Sequence, residues 1–254
     1  MQKILLDTDI GGDIDDAVCL AYLLREPQCA LLGVTTVCGE SEKRAAGALA
    51  RWPHRPFERG DAPGFLYRKI RENPHEIVLI GIGNMTNIAA LFRDHPDAPG
   101  LFVMNGCFGE APLPEPWYNW NAWADPLAAR LVFAAEIPLH RVVPLEVTEQ
   151  PTLPAREAQA LLPPSSPLMR GDDDFGGAWL ESAEKLTLHD PLAAAAVFHP
   201  ELLRFARGFV RVETARRDCM AETTFTPDAG GNVEIARSVE KKNFYALLSS
   251  TLNK

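Results

Sequence analysis

The sequence predicts an α/β fold, a doubly wound and mostly parallel sheet flanked by helices, and three observations carry that expectation. Short apolar runs alternate with helical segments through residues 1–150, the pattern of a parallel sheet covered on both faces. Several of those runs are apolar at nearly every position, as EIVLIGIG at 76–83 is; strands buried on both sides look like this. The notable loops, at 7–16, 36–40, 83–87, 104–121 and 148–151, each begin where a proposed strand stops. They therefore open on one edge of the sheet, where ligands bind in such folds.

Taken in order, Lys3–Leu6 reads as a short buried strand ending in the acidic loop DTDIGGDIDD at 7–16. From Asp15, DDAVCLAYLLREP is apolar on nearly all sides and stops before Pro27, as a buried helix does. ALLGVTTVCG (30–39) is β-branched and strand-like, and SEKRAAGALARW (41–52) is helical. Residues 53–75 carry several Pro and Gly and read as a surface excursion. After the strand at 76–83 come a helix at 85–95, the strand LFVMNG at 101–106 and an aromatic, Pro-rich loop to Ala124. A helix at 125–135 and the strand RVVPLEVT (141–148) follow. Beyond that the chain is more helical, through LPAREAQALL, FGGAWLESAEKL and HDPLAAAAVFHPELL (189–203), before a β-rich stretch at 205–239 and a closing helix at 241–252. No repeat or interdomain linker interrupts it, so residues 1–254 read as one domain with a helical elaboration.

Composition narrows the function. The hydrophobic fraction is 46% and the charged fraction 23%, ordinary for a globular chain. A net charge of −9 argues against nucleic-acid polymers as partners. Five scattered cysteines without a C-x-x-C indicate neither a disulfide framework nor a zinc ribbon. With no run of membrane-spanning length and no signal peptide, the expectation is a cytoplasmic protein without membrane contact.

The chemistry concentrates in the acidic loop. Asp7, Asp9, Asp13, Asp15 and Asp16 lie within ten residues; so many carboxylates repel one another unless a cation sits among them, and calcium and magnesium take oxygen ligands of this kind. Gly11 and Gly12 allow the sharp backbone turns needed to fold carboxylates around one point. A solvated turn with one helix-capping Asp accounts for one or two of the five, not for all. A bound divalent ion could hold a water and the vicinal hydroxyls of a sugar, with Asp9 as the carboxylate that removes a proton from the water.

DTDIGGDIDDA resembles the N-terminal signature of the inosine-uridine nucleoside hydrolase family. GVTTVCGE (33–40), GNMTN (83–87), VMNG (103–106), NWNAWADPLAA (119–129), VVPLEVT (142–148) and HDPLA (189–193) match further family motifs in the same order. The resemblance implies a calcium-dependent N-glycosidase that hydrolyses ribonucleosides to base and ribose in purine or pyrimidine salvage, with a metal-bound water activated by Asp9, in a homodimer or homotetramer. It implies Asp9, Asp16, the Val103 backbone carbonyl and Asp190 as ion ligands, and His189 as acid beside the leaving base. Asp15 and Asn121 would contact ribose, together with Glu40, where the family usually has asparagine, and Asn119, where it usually has glutamate. Asp13 and Ile14 stand between Gly12 and the aspartate pair, which makes Asp13 a further candidate ligand.

Trp117, Tyr118, Trp120 and Trp123 crowd one loop. Packing onto the core is the commoner use of such residues; Trp120, between Asn119 and Asn121, is the one best placed to stack on a base. His189 and Asp190 also fit a helix start with Asp190 as N-cap and Pro191 first in the helix. Thr86 and Asn87 read as caps of the helix they begin. Two alternatives remain open. Asp7-Thr8-Asp9 and GDDDF at 171–175 fit a haloacid dehalogenase-type phosphatase, and the substitutions at 40 and 119 fit a non-catalytic nucleoside- or ribose-binding protein.

Overall fold

Ile4, Leu5 and Leu6 are fully buried, and their alternation decides how the sheet is sandwiched. Ile4 and Leu6 point into one apolar layer and Leu5 into the other, since successive strand residues face opposite ways. In the computed structural model, which describes residues 1–11, 13–37, 60–95, 100–109, 119–161 and 184–253, they form the centre of strand β1 (Gln2–Thr8). Helix α1 (Asp15–Arg25), β2 (Cys29–Thr36), α2 (Ala62–Glu72), β3 (Ile77–Gly81) and α3 (Thr86–Asp94) follow. Then come β4 (Leu101–Met104), α4 (Trp120–Ala124), α5 (Pro126–Ala134), β5 (His140–Val143) and α6 (Leu145–Thr148).

Eight strands make one sheet, including β8 (Leu203–Val212), β9 (Thr223–Pro227) and β10 (Val233–Val239), in the order β2-β1-β3-β4-β5-β10-β8-β9. Pairing is parallel from β2 through β10 and antiparallel from β10 to β8 and β9. The chain leaves β1 for β2 on one side and returns to β3 on the other. The crevice beyond β1 and β3 is therefore the topological switch point, the usual ligand position in such sheets. A small antiparallel pair, β6 (Thr152–Pro154) and β7 (Lys185–Thr187), flanks α7 (Ala155–Leu161) and leads into α8 (His189–Phe198). α1, α8 and the closing α9 (Lys241–Leu252) cover one face of the sheet, and α2, α3 and α5 the other. No helix among the described residues is long and apolar enough to cross a membrane.

The doubly wound sheet is as the sequence predicts, but three local expectations are corrected. Residues 62–72 form α2 within the proposed excursion: Asp61 accepts from Gly64 N at 3.0 Å and caps it. Pro63 and Gly64 thus sit in a first turn, where Pro costs the helix no hydrogen bond. The strand proposed for 141–148 stops at Val143, and LEVT turns into α6, because Pro144 has no N–H to continue the ladder. Asp190 does not cap its helix: α8 begins at His189 with Leu188 as N-cap, which places Asp190 inside the first turn. The proposed helices at 41–52 and in FGGAWLESAEKL lie outside the described residues. Among the described cysteines, Cys19, Cys107 and Cys219 are buried and Cys29 is half-buried, all as free thiols.

His140 heads β5 almost fully buried, its ring 6.2 Å from that of Phe133 at 13°, and burial pushes its pKa from 6.5 down to about 4. The unfolded chain therefore binds a proton near pH 6.5 that the folded chain refuses until near pH 4. Stability contributed by the neutral ring is complete above that window and is lost as pH falls through it, by up to ~3 kcal/mol. Urea midpoints measured across this window should fall more steeply for the wild type than for His140→Leu. Parallel slopes would remove His140 from the acid response.

Candidate functional site

The acidic loop is built by local hydrogen bonds and two buried side chains. Ile10 and Ile14 are buried at 2% and 1% exposure and pin the loop between β1 and α1. Gly11 takes φ 109°, a backbone conformation closed to residues with a Cβ. The Thr8 hydroxyl donates to Asp16 Oδ1 and accepts from Ile10 N at 3.1 Å. Asp13, exposed, accepts from Ile14 N at 2.6 Å.

Asp15 and Asp16 lie in the first turn of α1 and Asp190 in the first turn of α8. The two helices pack together, so both positive helix ends meet and favour carboxylates there. Asp190 N donates to Asp15 Oδ2 at 3.3 Å. The three carboxylates are buried, and each places an oxygen within 4.8 Å of the other two. Burial, reinforced by the neighbouring carboxylates, raises the pKa of all three, Asp15 to about 7. Burial also raises Asp9, which stands in the same cavity.

That cavity is about 300 Å³ and sits at the switch point, large enough for a small ligand. Asp9, Asp13, Asp15, Asp16 and Asp190 line its acidic side. Ile82, Met104, Leu145 and Trp120 also line the cavity. No Lys or Arg is among the described lining residues, so none of these side chains pairs the carboxylates with a fixed cation. Several buried carboxylate oxygens without a cationic partner are the donor set of a hard divalent ion, and these residues fit one.

The structure thus gathers Asp9, Asp15, Asp16, Asp190, His189, Asn119, Trp120 and Asn121 around one space. The close trio includes Asp15 and leaves Asp9 outside it. Val103 is buried in the centre of the sheet, pairing with Gly81 and Val142, and its neighbour Met104 lines the cavity. Glu40, Trp117, Tyr118 and GDDDF lie outside the described residues.

The two asparagines are tied down. Asn119 Oδ1 caps α4, accepting from Asn121 N at 3.1 Å and Ala122 N at 3.3 Å, while its Nδ2 points at Met104 Sδ, 3.5 Å away. Asn121 Nδ2 donates to the carbonyls of Ile82 and Met104 at 2.8 and 2.9 Å, joining the ends of β3 and β4. Trp120 and Trp123 are 59% and 43% exposed, with ring centroids 5.0 Å apart; burial in the core is not their use. His189 does not titrate in the neutral range, because burial pushes its pKa down to about 4.

Several residues shape the site through partners the sequence did not show. Asp7 is buried and accepts from Thr35 Oγ1 at 2.5 Å and Asn87 Nδ2 at 2.9 Å; burial raises its pKa to about 7. It ties β1 to β2 and α3 beneath the loop. Asn87 and Thr86 therefore do not cap α3: Met85 is its N-cap, and Thr86 Oγ1 donates to Asp125 Oδ2 at 2.6 Å. Gly83 lies so close to Asp9 that a Cβ there would come within 2.9 Å of Asp9 N. Thr148 meets His189 Nδ1 at 2.7 Å. Thr148 and Asn87 close the motifs VVPLEVT and GNMTN, and that membership was the available signal.

Comparison with known proteins agrees with this fold. The profile of the family described as inosine-uridine preferring nucleoside hydrolase matches residues 47–246. Uridine nucleosidase 1 of Arabidopsis thaliana is 26% identical, over 84% of this chain and 79% of that protein. A solved plant nucleoside hydrolase superposes with TM-score 0.82 at 22% identity, covering 99% of this chain and 98% of the other. A purine-preferring ribonucleoside hydrolase from Gardnerella vaginalis superposes with TM-score 0.79 at 19% identity, covering 99% and 98%.

Proposed function

The chain belongs to the inosine-uridine preferring nucleoside hydrolase family, and on that basis we propose that it cleaves the N-glycosidic bond of ribonucleosides with calcium, releasing base and ribose. The observation that carries the reading is the meeting of Asp15 with Asp190, 175 positions away, in a buried trio completed by Asp16. Carboxylates brought this close, with no Lys or Arg among the described lining residues, call for a cation. Calcium fits better than magnesium, because it accepts six to eight oxygens in flexible geometry and leaves places for substrate hydroxyls. When bound, the ion supplies an anchor for oxygen ligands and lowers the pKa of a coordinated water.

The remaining roles belong to the chain. Asp9, at the mouth of β1, takes the proton of the attacking water. The carboxylates around the ribose stabilise the positive charge that develops at the sugar ring in an oxocarbenium-like transition state. Asn121 has spent its Nδ2 on two carbonyls, so Oδ1 is left to accept from a ribose hydroxyl. Asn119, its oxygen used for capping, offers the substrate its Nδ2. Trp120 lines the cavity and is exposed enough to stack on the base. His189 stands beside the leaving base. A cytoplasmic homo-oligomer serving nucleoside salvage is consistent with this reading.

A panel of purine and pyrimidine ribonucleosides, assayed for reducing sugar with and without chelator, tests it. At least one should be hydrolysed, with activity lost on chelation and restored by calcium. Tight nucleoside binding without free base after long incubation would reject catalysis, and full activity in chelator would reject the ion.

A further inference from the structure

We propose that Thr148 is a positioning residue that holds His189 in the Nδ1–H tautomer, so that Nε2 meets the substrate as a hydrogen-bond acceptor. The inference deepens the proposed nucleoside hydrolysis and rests on that reading for what fills the cavity. It stands on two distances from one oxygen. Thr148 Oγ1 lies 2.7 Å from His189 Nδ1 and 3.1 Å from the carbonyl oxygen of Leu145.

A threonine hydroxyl has a single proton. Two oxygens 3.1 Å apart attract only with a proton between them, and the Leu145 carbonyl has none to give. The hydroxyl proton therefore points at Leu145, and Oγ1 turns a lone pair toward the ring. Nδ1 must then be the donor. The reverse arrangement would give the proton to Nδ1 and leave two acceptor oxygens in contact. The chain Nδ1–H to Oγ1–H to carbonyl satisfies every group, as a buried network requires, and Thr148 is fully buried.

Thr148 itself cannot swing away. It closes α6, its own N–H donating to Pro144 O at 3.0 Å, and its χ1 is restricted by β-branching. The turn that Pro144 forces at the end of β5 thus puts a fixed acceptor behind the histidine. With Nδ1 occupied, Nε2 is the ring nitrogen left for the cavity that His189 lines. In the neutral ring it carries a lone pair. The complementary group on the substrate is a donor, either a ribose hydroxyl or a base N–H.

The tautomer can be read by 15N NMR of histidine-labelled protein under mildly alkaline conditions, with His189→Gln identifying the resonance. Nδ1 of His189 should show the protonated signature and Nε2 the unprotonated one. Thr148→Val should lose that preference and Thr148→Ser should keep it. In steady-state kinetics on the best nucleoside, Thr148→Val should lower kcat/KM about tenfold, chiefly by raising KM, the scale of one hydrogen bond. The serine variant should recover most of it. The 5′-deoxy analogue and the base N-methylated analogue separate the two donor sources: one of them should lose affinity for the wild type and not for Thr148→Val. An Nε2–H ring in the wild type, or a valine variant with the wild-type tautomer, overturns the proposal. Should no nucleoside be hydrolysed, the proposed function fails while the spectrum still decides the tautomer.

Discussion

Asp9→Ala is expected to lower kcat about 10³-fold, the middle of the range for loss of a general base, while the protein stays folded. Asp9 stands at the end of β1 facing the cavity, and the bonds that shape the loop do not pass through its side chain. Those bonds run from Thr8 to Asp16 and from Ile10 to Thr8. Its neighbours are carboxylates whose protonation it opposes losing, so removing its charge relieves repulsion. The melting temperature of the metal-free variant should therefore equal or exceed that of the wild type. Asp9→Asn, of nearly the same shape, should be as inactive as the alanine variant, because an amide cannot take the proton. An alanine variant within about threefold of wild-type kcat would remove Asp9 from the mechanism.

Asp190→Asn is expected to change stability in opposite directions with and without calcium. Without the ion, the substitution replaces one of three buried carboxylates lying within 4.8 Å by a neutral group of the same size. Like charges so close and so poorly hydrated are costly. A gain of roughly 1–3 kcal/mol is expected, on the scale of relieving one such group, which at this size raises the melting point by about 2–4 °C per kcal/mol. With calcium in thousandfold excess over its Kd the wild type should gain about 4.1 kcal/mol by mass action, and the variant little. The order of the two melting points should therefore reverse on adding calcium. Thermal scans of both proteins in chelator and in calcium check this, and two curves that keep the same order would refute an ion site that includes Asp190.

Both expectations depend on distances no sequence prints, although much around them was legible. The buried strand at β1, the helix stopping before Pro27 and the five aspartates between them follow from periodicity and from carboxylate chemistry. Gly11 could be assigned a turn role before its φ was known. The ordered motifs singled out His189 and Asp190, which line the cavity. Reading failed where a short segment obeys its neighbours: LEVT ends in two β-branched residues, yet Pro144 ends the ladder and four residues wind into α6. It failed again at 53–75, where Pro63 and Gly64 were read as breakers although they open α2 behind Asp61.

The sequence by itself determined the sheet-and-helix alternation, the acidic loop and the family, because each is written in residues near one another or in a fixed order. Only the tertiary structure decided which carboxylates meet. Asp190 joins Asp15 and Asp16 because α1 and α8 pack side by side with their first turns at the same sheet edge. The same packing set Thr148 behind His189 and spent the amide of Asn121 on two strand ends. Hydrogen bonds and Coulomb forces act over a few ångströms of space, and separation along the chain says little about that distance until the core has packed.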